Sequence, residues 1–251
     1  MTGANLAAVT KVSAIALAVL AAATPAWAGP PFLTDDPEPT DTGHWEIYAP
    51  LVEASGSGRN FEGATGAEIN YGAARNVQVT LGLPIEYVND RSGTEWGVGD
   101  VAVSLKYRFY QNEDIGLSIA VFPGVTLPTA SNGFGAGEVT GMLPVWFQKD
   151  TGSWSVFGGG GYAFNPGKGN RNYFTGALAV SRQINSDFTL GVEVEQQGAD
   201  TIDGRATTSL GVGAIYRIKA PFRLLLSAGP TFEDGGQSTS FHTFLALGLD
   251  F

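Results

Sequence analysis

The chain has 251 residues, of which 15% are charged against roughly 25% in an average soluble domain, and its 35 glycines are about twice the usual share. A net charge of −10 argues against a nucleic-acid partner, and the absence of cysteine excludes disulfides, thiol catalysis and thiolate metal sites. So few ionic side chains cannot cover a water-facing shell, and the length suits a single all-β domain.

Met1 to Ala28 reads as a secretory signal peptide. It has one base (Lys11), no acid, and an apolar run from Val12 to Ala23, shorter than the ~20 residues that span a bilayer. Ala26-Trp27-Ala28 then gives the small-x-small pattern of a cleavage site, so Gly29 is the expected mature N-terminus. Residues 29–42 form an acidic, proline-rich arm containing Asp35-Asp36-Pro37-Glu38-Pro39. Its prolines lack donors for a strand ladder and its acids solvate well, which predicts a periplasmic leader. Entry of this arm into a barrel lumen, or contact with a periplasmic partner, is the sharper alternative.

From residue 43 to 251 segments of roughly ten residues alternate apolar with small or polar side chains, the repeated signature of a membrane barrel. Val77, Val79, Leu81, Leu83, Ile85 and Tyr87 share one face, and Val101, Val103, Leu105, Tyr107 and Phe109 repeat the pattern. Extended along the chain, the alternation predicts twelve strands at 43–54, 63–73, 77–88, 98–109, 115–127, 138–148, 153–164, 173–183, 188–198, 206–218, 222–232 and 240–251. Long connections at 55–62, 89–97, 128–137, 165–172, 199–205 and 233–239 alternate with tight ones around Ala74, Asn112, Thr151, Ser186 and Ala220, which puts both termini on the periplasmic side.

Charge placement separates this reading from a soluble sandwich or lipocalin-like barrel, which would turn its charges to water. The apolar face carries no charge through the middle of any segment. The small/polar face holds Glu46, Glu68, Glu86, Asp100, Lys106, Arg108, Glu193, Glu195, Arg217 and Arg223. The apolar face is therefore expected in lipid and the polar face in a wet lumen. This gives an all-β fold, a closed antiparallel transmembrane β-barrel of about 12 strands. Closure is required, because an open edge in hydrocarbon leaves unpaired amides and carbonyls. The chain stops at Phe251 on the apolar face, a terminal aromatic that resembles the assembly signal read by the barrel-assembly machinery.

The segments PPFLTDDPEPTDTGHWEIY, GVGDVAVSLKYRF, LPVWFQK and GGGGYAFNPGKGNRNYF resemble the MetA-pathway (phenol meta-cleavage) outer-membrane transporter family, across essentially the whole mature chain. The resemblance implies an outer-membrane barrel that passes or binds small organic molecules, and it supplies no catalytic residue.

Other motifs take structural readings. Gly97-Val98-Gly99-Asp100-Val101-Ala102 fits a dinucleotide fingerprint but is followed by alternation rather than a helix, and the run Gly158 to Gly161 fits close backbone approach in a barrel wall. His44 lies just before the first strand and His242 on the last, which closure could bring near each other, but two histidines suit structural roles better than a hydrolase triad or a metal site. No catalytic, metal or cofactor-binding residue is expected, and no cofactor.

The ten polar-face ions, with Tyr48, Trp146 and Phe244, are the candidate lumen residues for solute contact and selectivity, and their acidic excess favours cations or neutral solutes. The function expected is a channel or transporter, not an enzyme, for small aromatic or hydrophobic compounds in the outer membrane of a Gram-negative cell. Outer-membrane lipid, the assembly machinery and the solute are its partners. The alternatives are a non-conducting, surface-binding or structural barrel that uses loops such as Ser131 to Gly137 and Asn165 to Asn172, and an outer-membrane hydrolase built on His44 or His242.

Overall fold

A computed structural model describes residues 32–251 except Arg59, Ser92, Asn132, Gly235 and Gln237; the expected signal peptide lies outside them. The alternating segments form fourteen strands. They are β1 (Trp45–Ser57), β2 (Asn60–Ala74), β3 (Val77–Asn89), β4 (Thr94–Val98), β5 (Val101–Asn112), β6 (Leu117–Val121), β7 (Gly124–Leu127), β8 (Thr140–Thr151), β9 (Trp154–Phe164), β10 (Tyr173–Gln183), β11 (Phe188–Gln197), β12 (Thr207–Lys219), β13 (Phe222–Glu233) and β14 (Thr239–Asp250).

Twelve strands make the wall, because β4 and β5 run along β3 as one interrupted strand and β6 and β7 do the same between β5 and β8. The second break falls at Phe122-Pro123, where proline has no N–H to give. Phe122 N donates to Pro144 O at 3.1 Å and Leu105 N to Pro123 O at 2.9 Å, so the ladder continues across it. β1 pairs with β14 from Glu46 opposite Asp250 to Gly56 opposite Phe241, and the barrel closes.

The apolar face points outward: Leu83, Ile85, Leu105, Val145, Leu178, Val192, Val212 and Leu245 are all exposed. The buried interior is polar, with Asn70, Gln78, Thr80, Lys106, Gln148, Ser155, Ser181 and Glu193. This inversion of a soluble protein is what a hydrocarbon exterior demands. Aromatic pairs mark two levels: Trp45 with Tyr71 (ring centroids 4.5 Å) at the end bearing the short turns, and Tyr87 with Trp96 (4.9 Å) and Tyr162 with Phe174 (5.0 Å) at the end bearing the long loops.

Two connections expected to be long are short. β1 and β2 are separated only by residues 58–59, and β3 and β4 only by 90–93, so most of 55–62 and 89–97 is strand. These ladders reach the aromatic level at the loop end, where Phe61 and Trp96 flank Tyr87 and the hydrogen bonds continue.

Candidate functional site

The inner face of β5 presents Ala102, Ser104, Lys106 and Arg108 in alternation, and the N-terminal arm lies against its two bases. Lys106 Nζ stands 2.9 Å from Asp35 Oδ1 and 3.7 Å from Asp36 Oδ1, and Arg108 Nη1 pairs with Glu38. Arg108 Nη2 also donates to Asn76 Oδ1 at 2.9 Å. Nearer the turn end Thr40 N donates to Gln78 Oε1 (2.7 Å), while Gln78 Nε2 (2.9 Å) and Thr80 Oγ1 (2.6 Å) both donate to Asn70 Oδ1.

The other end of the arm reaches β11. Leu33 N donates to Glu193 Oε1 (3.1 Å), and Thr34 N and Oγ1 donate to Oε2 (both 2.9 Å), so one buried carboxylate accepts three bonds. Phe32 meets Phe157 of β9 edge-on with centroids 5.6 Å apart. It fits there because Gly191 and Gly213 carry no side chains: a Cβ on Gly213 would lie 2.7 Å from the Phe32 ring. In a ring of twelve strands β3 and β5 stand opposite β11 and β12, so residues 32–40 cross the lumen rather than hanging free at the turn end. The arm's acids find their counter-charges inside the barrel, which offsets the cost of taking them from water. Burial raises the Asp36 carboxyl to about 7 against the opposing pull of Lys106.

The remaining candidate residues serve three other arrangements. At the turn end Arg223 pairs with Glu46 and donates to Tyr48 OH at 2.7 Å, Tyr48 OH donates to Glu46 Oε1 at 2.8 Å, and Asp250 lies 3.3 Å from Arg223. Arg217 stands opposite Arg223 in register and is exposed, whereas Phe244 packs against the buried cluster of Tyr48, Leu225 and Ala246. On the middle wall Trp146 is buried, Glu68 accepts from Asn70 Nδ2 (3.0 Å), and Glu195 accepts from Thr175 Oγ1 (3.2 Å). At the loop end Asp100 and Glu86 accept backbone N–H groups from the β7–β8 connection. A recess of about 290 Å³ opens beside them, lined by Glu53, Glu62, Glu86 and Tyr87.

The histidines do not meet. His44 precedes β1 at the turn end, whereas His242 stands opposite Ser55 toward the loop end, because antiparallel closure pairs the start of β1 with the end of β14. His242 Nδ1 lies 3.1 Å from Thr231 Oγ1, which lies 2.9 Å from Ser209 Oγ. Among the described residues no group of histidines and acids is arranged to hold a metal ion. The glycine pattern at Gly97 spans the break between β4 and β5 with no helix after it.

Sequence reasoning missed Phe32, Leu33 and Thr34, which act partly through backbone N–H groups that leave no trace in residue type. The signal available was Lys106 and Arg108 two apart on one inner face, matching the spacing of Asp36 and Glu38.

No curated protein matches the chain. Among solved structures it is similar to the COG4313 outer membrane channel from Pseudomonas putida F1, at 14% identity and a TM-score of 0.70, over 90% of this chain and 100% of that one. It is also similar to the KdgM porin in complex with disordered oligogalacturonate, at 13% identity and a TM-score of 0.58, over 82% and 99%. At these identities the likeness is one of fold, a closed barrel of the outer-membrane type. Residues 56–247 match the family described as "Putative MetA-pathway of phenol degradation", and the chain belongs to that family.

Proposed function

We propose that the chain is an outer-membrane channel of a Gram-negative cell, exported by its signal peptide with the turn end periplasmic, and that it passes small organic compounds, aromatic or hydrophobic ones among them. The observation that carries this reading is the manner in which the arm is held. Its central contacts are ion pairs and hydrogen bonds to a polar wall, with Phe32 its one aromatic anchor, so release would expose charge that water solvates readily rather than a broad apolar core. The family description, which concerns phenol degradation, and the channel and porin among the similar folds support the class of solute and the passive role. Lipid contacts the apolar exterior, and the assembly machinery would read Phe251, whose side chain is exposed beside the Trp45 pairing that ends the seam. No catalytic role falls to either histidine.

Single-channel conductance of the full chain in a planar bilayer tests this. Wild type should show rare, small steps, and the double variant Lys106→Gln/Arg108→Gln should open more often and wider. Silence from both folded proteins would sink the channel reading and favour a closed, surface-binding or structural barrel.

A further inference from the structure

The loop end of the lumen carries a second set of contacts, apart from those of the arm. The described residues of the β7–β8 connection, 128–131 and 133–139, are fastened to the wall at the loop end, to β3 and the β4–β5 strand. Asp100, 6% exposed, accepts from Ala130 N through Oδ1 (2.9 Å) and from Ala136 N through Oδ2 (2.7 Å). Glu86 Oε2 accepts from Gly135 N at 3.3 Å, Ser131 N donates to Val98 O at 2.9 Å, and Val101 N donates to Thr129 Oγ1 at 2.9 Å.

These bonds place the ring of Phe134 on Gly97. A Cβ at Gly97 would stand 2.2 Å from Phe134 Cδ2 and 2.5 Å from Cε2, so the ring occupies the space where any other residue would carry its side chain. Gly97 is opposite Glu86 in register, and Glu86 is on the inner face, so the ring lies on the lumen side of the wall. A loop with no task at the mouth would gain nothing by turning an aromatic inward over a polar wall, or by spending two carboxylates on holding it there.

One strand direction links the two sets of contacts. Asp100, Ala102, Ser104, Lys106 and Arg108 alternate along the same inner face, with the loop clamp at the outer end, the arm clamps at the inner end, and only small side chains between. We infer that Phe134 is the size-limiting side chain at the outer mouth, held by Asp100 and Glu86, so that a solute must pass its ring to reach the wall at Ala102 and Ser104. The inference rests on the channel reading for its purpose but not for its test.

The chain has no cysteine, so Ser104→Cys introduces a single thiol between the two sets of contacts. Full-length protein in vesicles is labelled from the loop end with a small methanethiosulfonate and with a bulky maleimide, and the ratio of the two rates is compared. In the Ser104→Cys background, Phe134→Ala and Asp100→Asn should each raise the bulky-to-small ratio by at least about tenfold, and Phe134→Trp should lower it, as expected for removing or enlarging a constriction. A ratio unchanged in both Phe134→Ala and Asp100→Asn, with heat-modifiable migration showing folded barrels, overturns the assignment. A raised ratio upholds it whether or not the protein conducts, since Ser104 lies outward of the arm clamps. Failure of the channel reading therefore registers separately, in the conductance.

Discussion

Replacing Lys106 by Met removes the cation that faces Asp35 and Asp36, with side chains 6%, 25% and 5% exposed respectively. Breaking a buried pair by deleting one partner costs about 3–5 kcal/mol, because the other charge is left without compensation. Asp35 keeps some contact with water and the arm can leave the lumen rather than stay charged within it, so the lower figure applies. About 3 kcal/mol corresponds to roughly a hundredfold rise in the released population of the arm. Pro37 is fully buried in the docked arm, so a Pro37→Cys reporter reacts with a membrane-impermeant maleimide only from the released state, and the labelling rate reads its population. At pH 8 labelling should accelerate about a hundredfold in Lys106→Met. At pH 5 the gap should narrow, because Asp36 already carries a proton there and Lys106 is left pairing with Asp35. Equal labelling of wild type and Lys106→Met at pH 8, in folded barrels, would refute the claim that this ion pair holds the arm.

Asp36 itself gives a pH dependence of fixed sign. Its carboxyl is raised by burial from 3.8 to about 7, so the docked arm binds a proton more tightly than the released one. Docking is therefore fully favoured below about pH 4 and weakens as pH rises through about 7, with release growing by up to about tenfold per pH unit inside that window. Asp36→Asn should flatten the profile, and a Pro37→Cys labelling curve of unchanged slope in that variant would contradict the linkage. At the seam, Arg223→Met leaves Glu46 without its cation where β1, β13 and β14 meet, and should lower barrel stability by about 3 kcal/mol, read as a fall in the urea midpoint in detergent micelles.

The barrel was legible because lipid enforces one rule along the whole wall. Alternation on Val77 to Tyr87 and on Val101 to Phe109 fixes which face is wet, and closure of β1 on β14 follows from the cost of an open edge in hydrocarbon. Legibility faded at the edge of the belt: Thr94–Val98 is strand but looks like loop, because five residues offer only Trp96 and Val98 as outward apolar positions, too few to show a period. Of the site, the charged wall residues were identified but not their partners. Asp35, Asp36 and Glu38 read as a solvated leader because composition records charge and not the distance to Lys106 and Arg108. The bonds that Asp100 and Glu193 accept come mainly from backbone N–H groups, which every non-proline residue carries.

Those partners change what the lumen's acidic excess means. Read as a row of charges, Glu46, Glu86, Asp100 and Glu193 suggest an attraction for cations. In the folded chain Glu46 faces Arg223, Glu86 and Asp100 accept amides of the outer loop, and Glu193 accepts two amides and a hydroxyl of the arm. Lys106 and Arg108, the bases that would have favoured anions, are engaged by Asp35, Asp36 and Glu38. An ion pair cancels much of the field its members would project into a wet pore, whereas a carboxylate held by amides keeps its charge, and salt shortens the reach of both. Glu68 and Glu195 likewise accept only from neutral groups, an amide and a hydroxyl, so the acidic excess of the wall persists after the ion pairs are formed. In the proposed channel the Phe134 loop and the arm would then set the size limit, with the remaining acids opposing anions. Under the proposed channel reading such an interior disfavours anions and leaves neutral organic compounds to be sorted by size, because an uncharged solute has no counter-charge for the remaining carboxylates to hold.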